Sequence, residues 1–325
     1  MELSGKIALV TGGGSGIGKA AALALAGAGA GIAVLSRTPD EIERTAAEVE
    51  KLGAPALPLS ADISDEAAMR GAFDTLQKRF GRLDIVVANA GINGVWAPID
   101  DLKPQEWDRT MAVNLRGTYL TLHLAVPLLK RRGGAIVVVS SINGTRPFTT
   151  PGATAYSATK AAQLAMVQQL SLELGRHNVR INAVCPGEIE TEIDDSTTLR
   201  REAETEIPVV WPKGDIPLTH GRAGHAADVA DVIRFLVSDG ARHITGSPVW
   251  VDGGQDLLRS PGRVLRLLGA GELDLAIVRP GRAMAWSRSH PQGMRILSYF
   301  KPFISCRVGP WPRKRPARIR QACSA

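Results

Sequence analysis

The chain has 325 residues, 44% hydrophobic and 22% charged, the balance of a soluble globular protein long enough for one large domain or two smaller ones. No run of about 18 apolar residues is present to span a membrane; three scattered cysteines (Cys185, Cys306, Cys323) and six histidines without HExxH spacing give no disulfide framework and no expected metal site. The net charge of +7 is uneven: residues 259–325 carry 14 of the 39 Lys and Arg but only two acids, Glu272 and Asp274, which leaves the first 258 residues at −5.

The opening MELSGKIALVTGGG has no charged segment leading into an apolar one, so no signal peptide is expected and a reducing cytoplasm is the expected compartment. A strand over Ile7–Val10 runs through a Gly-rich turn into a helix over Gly16–Ala28. Gly12, Gly16 and Gly18 permit a tight turn and close backbone approach, so the first amides of the helix can face a pyrophosphate. Gly13 to Lys19 also spells the start of a P-loop, but Ala20 stands where a magnesium-binding Ser or Thr is needed, which argues against triphosphate hydrolysis.

The second strand, Ile32–Ser36, ends in LSRT. An acid there would accept from the ribose hydroxyls of NAD, whereas a guanidinium attracts a 2′-phosphate. Ser36 and Arg37, with no acid before Asp40, favour NADP(H) over NAD(H); the competing reading is that Arg37 only solvates the strand end.

Further strands are expected at Ala56–Leu59, Asp84–Ala88, Ala135–Ser140, Arg180–Val184 and Val249–Val251, and helices at Asp40–Leu52, Asp65–Phe80, Pro104–Lys130, Ala155–His177 and Ala227–Leu236. Continuously apolar strands such as AIVVVS suit a parallel sheet covered on both faces. Regular βα alternation then implies right-handed crossovers and an α/β fold, a single doubly wound Rossmann domain with a seven-stranded sheet over residues 1–258. From Arg259 onward Pro, Gly and Arg break every apolar cluster, and a basic, mostly irregular tail is expected over 259–325.

Two positions stand out within the helices. Asn114 is a poor helix former inside a long apolar helix, explained by a satisfied buried amide or by a kink. Tyr156 and Lys160 lie one turn apart on one face, the spacing of ordinary neighbours as well as of a phenol tuned by an ammonium.

Together these residues resemble the short-chain dehydrogenase/reductase family. TGGGSGIG (Thr11–Gly18) matches its cofactor loop, placing Gly12, Gly14, Ser15, Gly16, Ile17 and Gly18 at the dinucleotide. NAG (Asn89, Ala90, Gly91) matches the motif that ends its fourth strand. Asn114, Ser141, Tyr156 and Lys160 match its catalytic tetrad in order. NAVCPGEIET matches the element that covers the nicotinamide, contributing Pro186, Gly187, Ile189 and Thr191, and VDGG at Val251–Gly254 matches the segment after the last strand. Asp62, followed by Ile63, resembles the adenine contact, with helix capping as the alternative for Asp62. Ser141 and Tyr156 are separated by 14 intervening residues, slightly more than the family spacing, so Ser140 is the alternative serine, better suited to supporting the backbone.

The resemblance implies chemistry that these residue types can perform. Reduction of a ketone needs a hydride from the cofactor and a proton from a general acid. Tyr156 would supply the proton, and Lys160 would favour its phenolate and hold the nicotinamide ribose. Ser141 would stabilise the substrate oxygen, and Asn114 would kink its helix around a water in a proton relay to Lys160. The expected function is an NADP(H)-dependent oxidoreductase interconverting a secondary alcohol and a ketone, 3-oxoacyl thioester reductase-like; the alternatives are a sugar, polyol or other alcohol dehydrogenase using NAD. A hypothesis of another class is a dinucleotide-binding interaction protein whose basic tail meets nucleic acid or an anionic membrane. Outer faces of the helices at Pro104–Lys130 and Ala155–His177 would form a homotetramer or dimer. Substrate choice would rest on Asn93–Trp96, Arg146–Thr150 and the long segment 188–221.

Overall fold

The computed structural model describes residues 2–145, 150–205 and 217–257, and strand segments at 264–265, 275–279, 282–286 and 295–297. The chain divides into two units, Met1–Arg259 and Ser260–Ala325.

In the first unit all seven expected strands form one parallel sheet: β1 (Ile7–Thr11), β2 (Gly31–Ser36), β3 (Ala56–Ser60), β4 (Ile85–Ala88), β5 (Gly134–Val139), β6 (Val179–Pro186) and β7 (Pro248–Val251). Their order across the sheet is β7-β6-β5-β4-β1-β2-β3. The sheet therefore reverses direction between β1 and β4, and the crevice beyond their carboxyl ends is where a doubly wound sheet receives a ligand.

Among the described residues six helices cover the sheet: α1 (Gly16–Gly27), α2 (Pro39–Lys51), α3 (Glu66–Phe80), α4, α5 (Thr154–Gly175) and α6 (Ala226–Val237). The α4 segment is not a uniform helix; Pro104–Thr110 and Gly117–Leu129 flank a π-helical turn at Met111–Arg116.

Alternate strand residues face opposite layers, as the pleat requires. Ala8, Val10, Val34 and Val87 pack under Ala22 and Leu25 of α1 and Ile233 of α6. Leu9, Leu35, Val86 and Ile136 pack under Met69 and Leu76 of α3, Leu129 of α4 and Val167 of α5. Leu9 is wholly buried, and truncating such a residue to Ala costs about 2–5 kcal/mol. At the amino ends of the central strands, away from the crevice, buried Asp84 accepts from the Ile7 amide at 2.9 Å and pairs with Arg82 at 2.6 Å, fixing the entry into β1.

The second unit differs from the irregular chain expected there. Val264–Leu265, Leu275–Arg279, Arg282–Trp286 and Arg295–Leu297 form a four-stranded antiparallel sheet in chain order. Arg279 pairs with Arg282, so only Pro280 and Gly281 separate the two central strands, and a Pro-Gly pair between apolar runs is a turn signal. The rest of the tail lies outside the described residues.

Candidate active site

The loop between β1 and α1 is fixed from below by the end of β4. The Thr11 hydroxyl accepts from the Asn89 and Ala90 amides at 3.0 and 3.2 Å, and the Asn89 amide nitrogen donates to the carbonyls of Thr11 and Gly12. Gly12 and Gly16 have φ of +65° and +50°, the left-handed region that side chains disfavour. A Cβ on Gly18 would collide with the Gly12 carbonyl, so glycine there lets α1 start directly against the turn. Ser15 precedes α1 with extended backbone and no side-chain cap. The first amides of α1 are left to a ligand, and with glycines lining the loop the site fits a pyrophosphate.

Beyond the carboxyl end of β2, Gly12, Ser36, Arg37, Glu41, Asp62, Ile63, Ala90 and Gly91 are among the residues lining a pocket of about 150 Å³. Asp62 does not cap a helix: Asp65 does, accepting from Ala67 and Ala68. Asp62 instead accepts from the amide and hydroxyl of Ser64, and Arg109 and Arg37 lie 3.5 and 3.8 Å from its Oδ2. Burial raises this carboxyl, but the Ser64 hydrogen bonds and the two guanidinium charges outweigh it and hold the group below its ordinary value.

Beyond the loop opens a cleft of about 670 Å³, lined by Ile17, Asn89, Gly91, Ser141, Tyr156 and Lys160 among others. Tyr156 and Lys160 come from the first two turns of α5 and are both buried. Lys160 Nζ stands 5.4 Å from the centre of the Tyr156 ring and donates to the Val139 carbonyl at 2.9 Å. Burial pushes the Lys160 ammonium down to about 8, with the neighbouring Cys185 acting in the opposite sense. Burial raises the Cys185 thiol to about 12.

The two serines after β5 divide their tasks. Ser140 Oγ donates to the Lys160 carbonyl at 2.9 Å and pins α5 to the sheet. Ser141 lies in the cleft wall, and its hydroxyl accepts from the Asn143 amide at 3.1 Å at the start of a short 3₁₀ turn, Ile142–Gly144.

Asn114 is both a kink and a satisfied amide. It sits in the π turn, fully buried; its Oδ1 accepts from the Ile92 amide and its Nδ2 donates to the Ile92 carbonyl, both at 2.8 Å, and to Thr159 at 3.2 Å. Its own carbonyl accepts from Thr118 Oγ1 at 2.7 Å and Gln163 Nε2 at 2.8 Å. A relay water at that carbonyl would compete with both donors.

Pro186, Gly187, Ile189 and Thr191 form the opposite wall. A Cβ on Gly16 would meet Thr191 at 3.2 Å, so this segment reaches the loop before α1. Gln255, just after the VDGG segment, accepts from the Glu188 amide at 2.7 Å and holds the turn in place. The outer part of the cleft joins distant segments: Gly94–Trp96 pairs with Thr197–Leu199, and Asn93 bonds Ser196 and Thr197. Arg200 is clamped to Asp101 at 3.0 Å and Glu106 at 2.8 Å. These bonds raise the Arg200 guanidinium, while hydrogen bonds from Arg200 and the Lys103 amide lower the Glu106 carboxyl to about 2. Of the segments expected to select substrate, Asn93, Trp96 and Thr150 line the cleft, whereas 146–149 and 206–216 lie outside the described residues.

Glu41, Asn143 and Gln255 also line these pockets and were not singled out by sequence. Each is an ordinary polar residue whose position depends on tertiary placement; only Gln255, one residue beyond VDGG, carried a nearby signal. Among the described residues no group of three or more His, Cys, Asp or Glu could hold a metal, and no helix is long and apolar enough to cross a membrane.

Known proteins are similar to this chain in sequence and fold. The family model for enoyl-(acyl carrier protein) reductase matches residues 12–256. The 3-oxoacyl-[acyl-carrier-protein] reductase FabG of Thermotoga maritima is 35% identical over 255 residues, covering 78% of this chain and 99% of the relative. A solved 3-ketoacyl-ACP reductase from Sinorhizobium meliloti is 68% identical over 78% of this chain and all of the other, with a TM-score of 0.75. Two more structures, each 33% identical with a TM-score of 0.69, are a 3-ketoacyl-(acyl-carrier-protein) reductase from Brucella melitensis with NADH, matching 78% of this chain and 99% of its own, and a short-chain dehydrogenase from Burkholderia cenocepacia with NADP, matching 79% and 100%. By sequence, fold and cleft, the chain belongs to the short-chain dehydrogenase/reductase family of NAD(P)-binding oxidoreductases that act on CH–OH and C=O groups.

Proposed function

We propose that this protein is a reductase of 3-oxoacyl thioesters that prefers NADP(H), with Tyr156 as general acid. The observation that carries the reading is the placement of Tyr156, Lys160 and Ser141 together in the wall of a cleft whose other end is the glycine loop. The 68% identity to a 3-ketoacyl-ACP reductase supports the substrate class.

When bound, the nicotinamide supplies the hydride to the carbonyl carbon. Tyr156 donates its hydroxyl proton to the carbonyl oxygen as charge develops there. Ser141 gives that oxygen a hydrogen bond from the end of a rigid strand. The Lys160 ammonium favours the phenolate left behind, and its Nζ, which donates to the Val139 carbonyl, would hold the ribose hydroxyls of a bound cofactor. Asn114 is a positioning residue: through Thr159, whose hydroxyl donates to the Tyr156 carbonyl at 2.7 Å, it fixes the turn of α5 that carries both Tyr156 and Lys160. Trp96, with its ring centre 6.4 Å from that of Tyr156, and Ile193 offer apolar surface to an acyl chain.

Arg37 supplies the positive charge expected to meet a 2′-phosphate. Self-association through the outer faces of α4 and α5 is supported by exposed Leu172 and by half-exposed Tyr119 stacked on His123; sedimentation as a monomer would refute it. The test of the cofactor reading is a fluorescence titration with NADPH and NADH. Tighter NADPH binding that Arg37→Asp reverses is the expected result, and no response to either cofactor would remove the enzymatic reading.

A further inference from the structure

The acid missing from the end of β2 is supplied from elsewhere. Pro39 opens α2, and Glu41 in its first turn returns toward the glycine loop, five residues past the end of β2. A Cβ added to Gly14 would stand 2.8 Å from Glu41 Cβ and Oε2 and 3.2 Å from Ser36 Oγ. The carboxylate and the hydroxyl thus converge on one point above the loop, in the wall of the pocket beyond β2.

Glu41 is half-buried, and among the described residues its carboxylate has neither an ion pair nor a hydrogen bond. Arg37, the one cation among the described residues that line that pocket, is less free. Arg37 and Arg109 both lie within 4 Å of Asp62 Oδ2, so part of their charge is already answered. In the pocket wall Arg37 thus stands against two carboxylates, Asp62 and Glu41, which limits the positive charge it can offer a dianion.

We propose that Glu41 restrains cofactor choice: its carboxylate accepts from the adenosine ribose hydroxyls of NAD(H) and opposes the 2′-phosphate of NADP(H), so that the preference given by Arg37 is narrow and both cofactors are used. The proposal rests on the reading of this cleft as a dinucleotide site. A carboxylate is an acceptor only, which suits a ribose diol. Facing a phosphate at short range and partly shielded from solvent, it weakens binding instead. Asp40, adjacent on the same helix turn, is exposed and is not part of the pocket wall; it provides the control for charge without placement.

The full chain is titrated with NADPH and with NADH, following nicotinamide fluorescence, for the wild type, Glu41→Gln and Asp40→Asn, with thermal melts to establish folding. Glu41→Gln is expected to tighten NADPH by about tenfold or more and to weaken NADH by about two- to fivefold, while Asp40→Asn stays within about twofold for both. Should Glu41→Gln melt low, Glu41→Lys is read in its place and is expected to tighten NADPH at least as much. An unchanged ratio of the two dissociation constants, or an equal shift in Asp40→Asn, overturns the proposal while leaving dinucleotide binding intact. Failure of the wild type to bind either cofactor overturns the reading of the cleft and the proposal with it.

Discussion

The two ends of the cleft are held by different means. At the loop before α1, backbone does the holding: glycines at Gly12 and Gly16, the helix start packed on Gly12 through Gly18, and the Thr11–Asn89 hydrogen bonds between two strand ends. At the outer end, side chains join segments about a hundred residues apart in sequence, through Asn93 to Thr197 and Arg200 to Asp101 and Glu106. Backbone packing tolerates no added atom, whereas a side-chain clamp can be loosened one bond at a time. The first end suits a constant ligand and the second a substrate that varies between relatives.

Substitutions can separate the two ends. Between them sits Lys160, and Lys160→Met should reduce turnover by about 10²-fold or more, within the range of general acid–base catalysis. It should also change stability. Because the folded value of Lys160, about 8, lies below its ordinary 10.5, the unfolded chain binds more protons across that window. Stability of the wild type therefore rises between about pH 8 and 10.5, by roughly 3 kcal/mol in total, as the buried charge is lost. Denaturant melts against pH should show this rise in the wild type and lack it in Lys160→Met.

Gly18→Ala tests the backbone end. The new methyl collides with the Gly12 carbonyl, so the loop must shift; cofactor dissociation constants should rise about tenfold and stability fall by about 1–3 kcal/mol. Arg200→Gln tests the outer end and should give the smallest effect: KM for the carbonyl substrate up by about two- to fivefold, with cofactor binding unchanged. The same clamp should survive mild acid. Its Glu106 carboxyl is lowered to about 2, so the interaction is fully present above the ordinary carboxylate range and weakens only as pH falls toward that value, which steady-state KM at pH 5 and 7 would check.

Much of this was legible in the chain itself. Continuous apolar runs such as AIVVVS disclosed the sheet, and the spacing of Tyr156 and Lys160 needed only a helix to place both in one wall. Other features had no local signal. The π turn around Asn114 leads into a helix, GTYLTLHLAVPLL, too evenly apolar for a change of phase to be read from it, and the strands at Gly94–Trp96 and Thr197–Leu199 are too short for a period to emerge. Glu41 carries no signal at the strand end, because it reaches the glycine loop from the first turn of the next helix. In the second unit a Pro-Gly pair separates LAIVR from RAMAW in the sequence, a turn signal obscured by the surrounding Arg and Pro.

The most direct test is to mix purified protein with NADPH and a 3-oxoacyl thioester, following nicotinamide absorbance for the wild type and Tyr156→Phe, with NADPH affinity measured in parallel. Stoichiometric NADPH consumption by the wild type, lost by about 10²–10⁴-fold in Tyr156→Phe with affinity held within about threefold, is the expected result. Turnover in Tyr156→Phe equal to the wild type would contradict the assignment of Tyr156 as the proton donor.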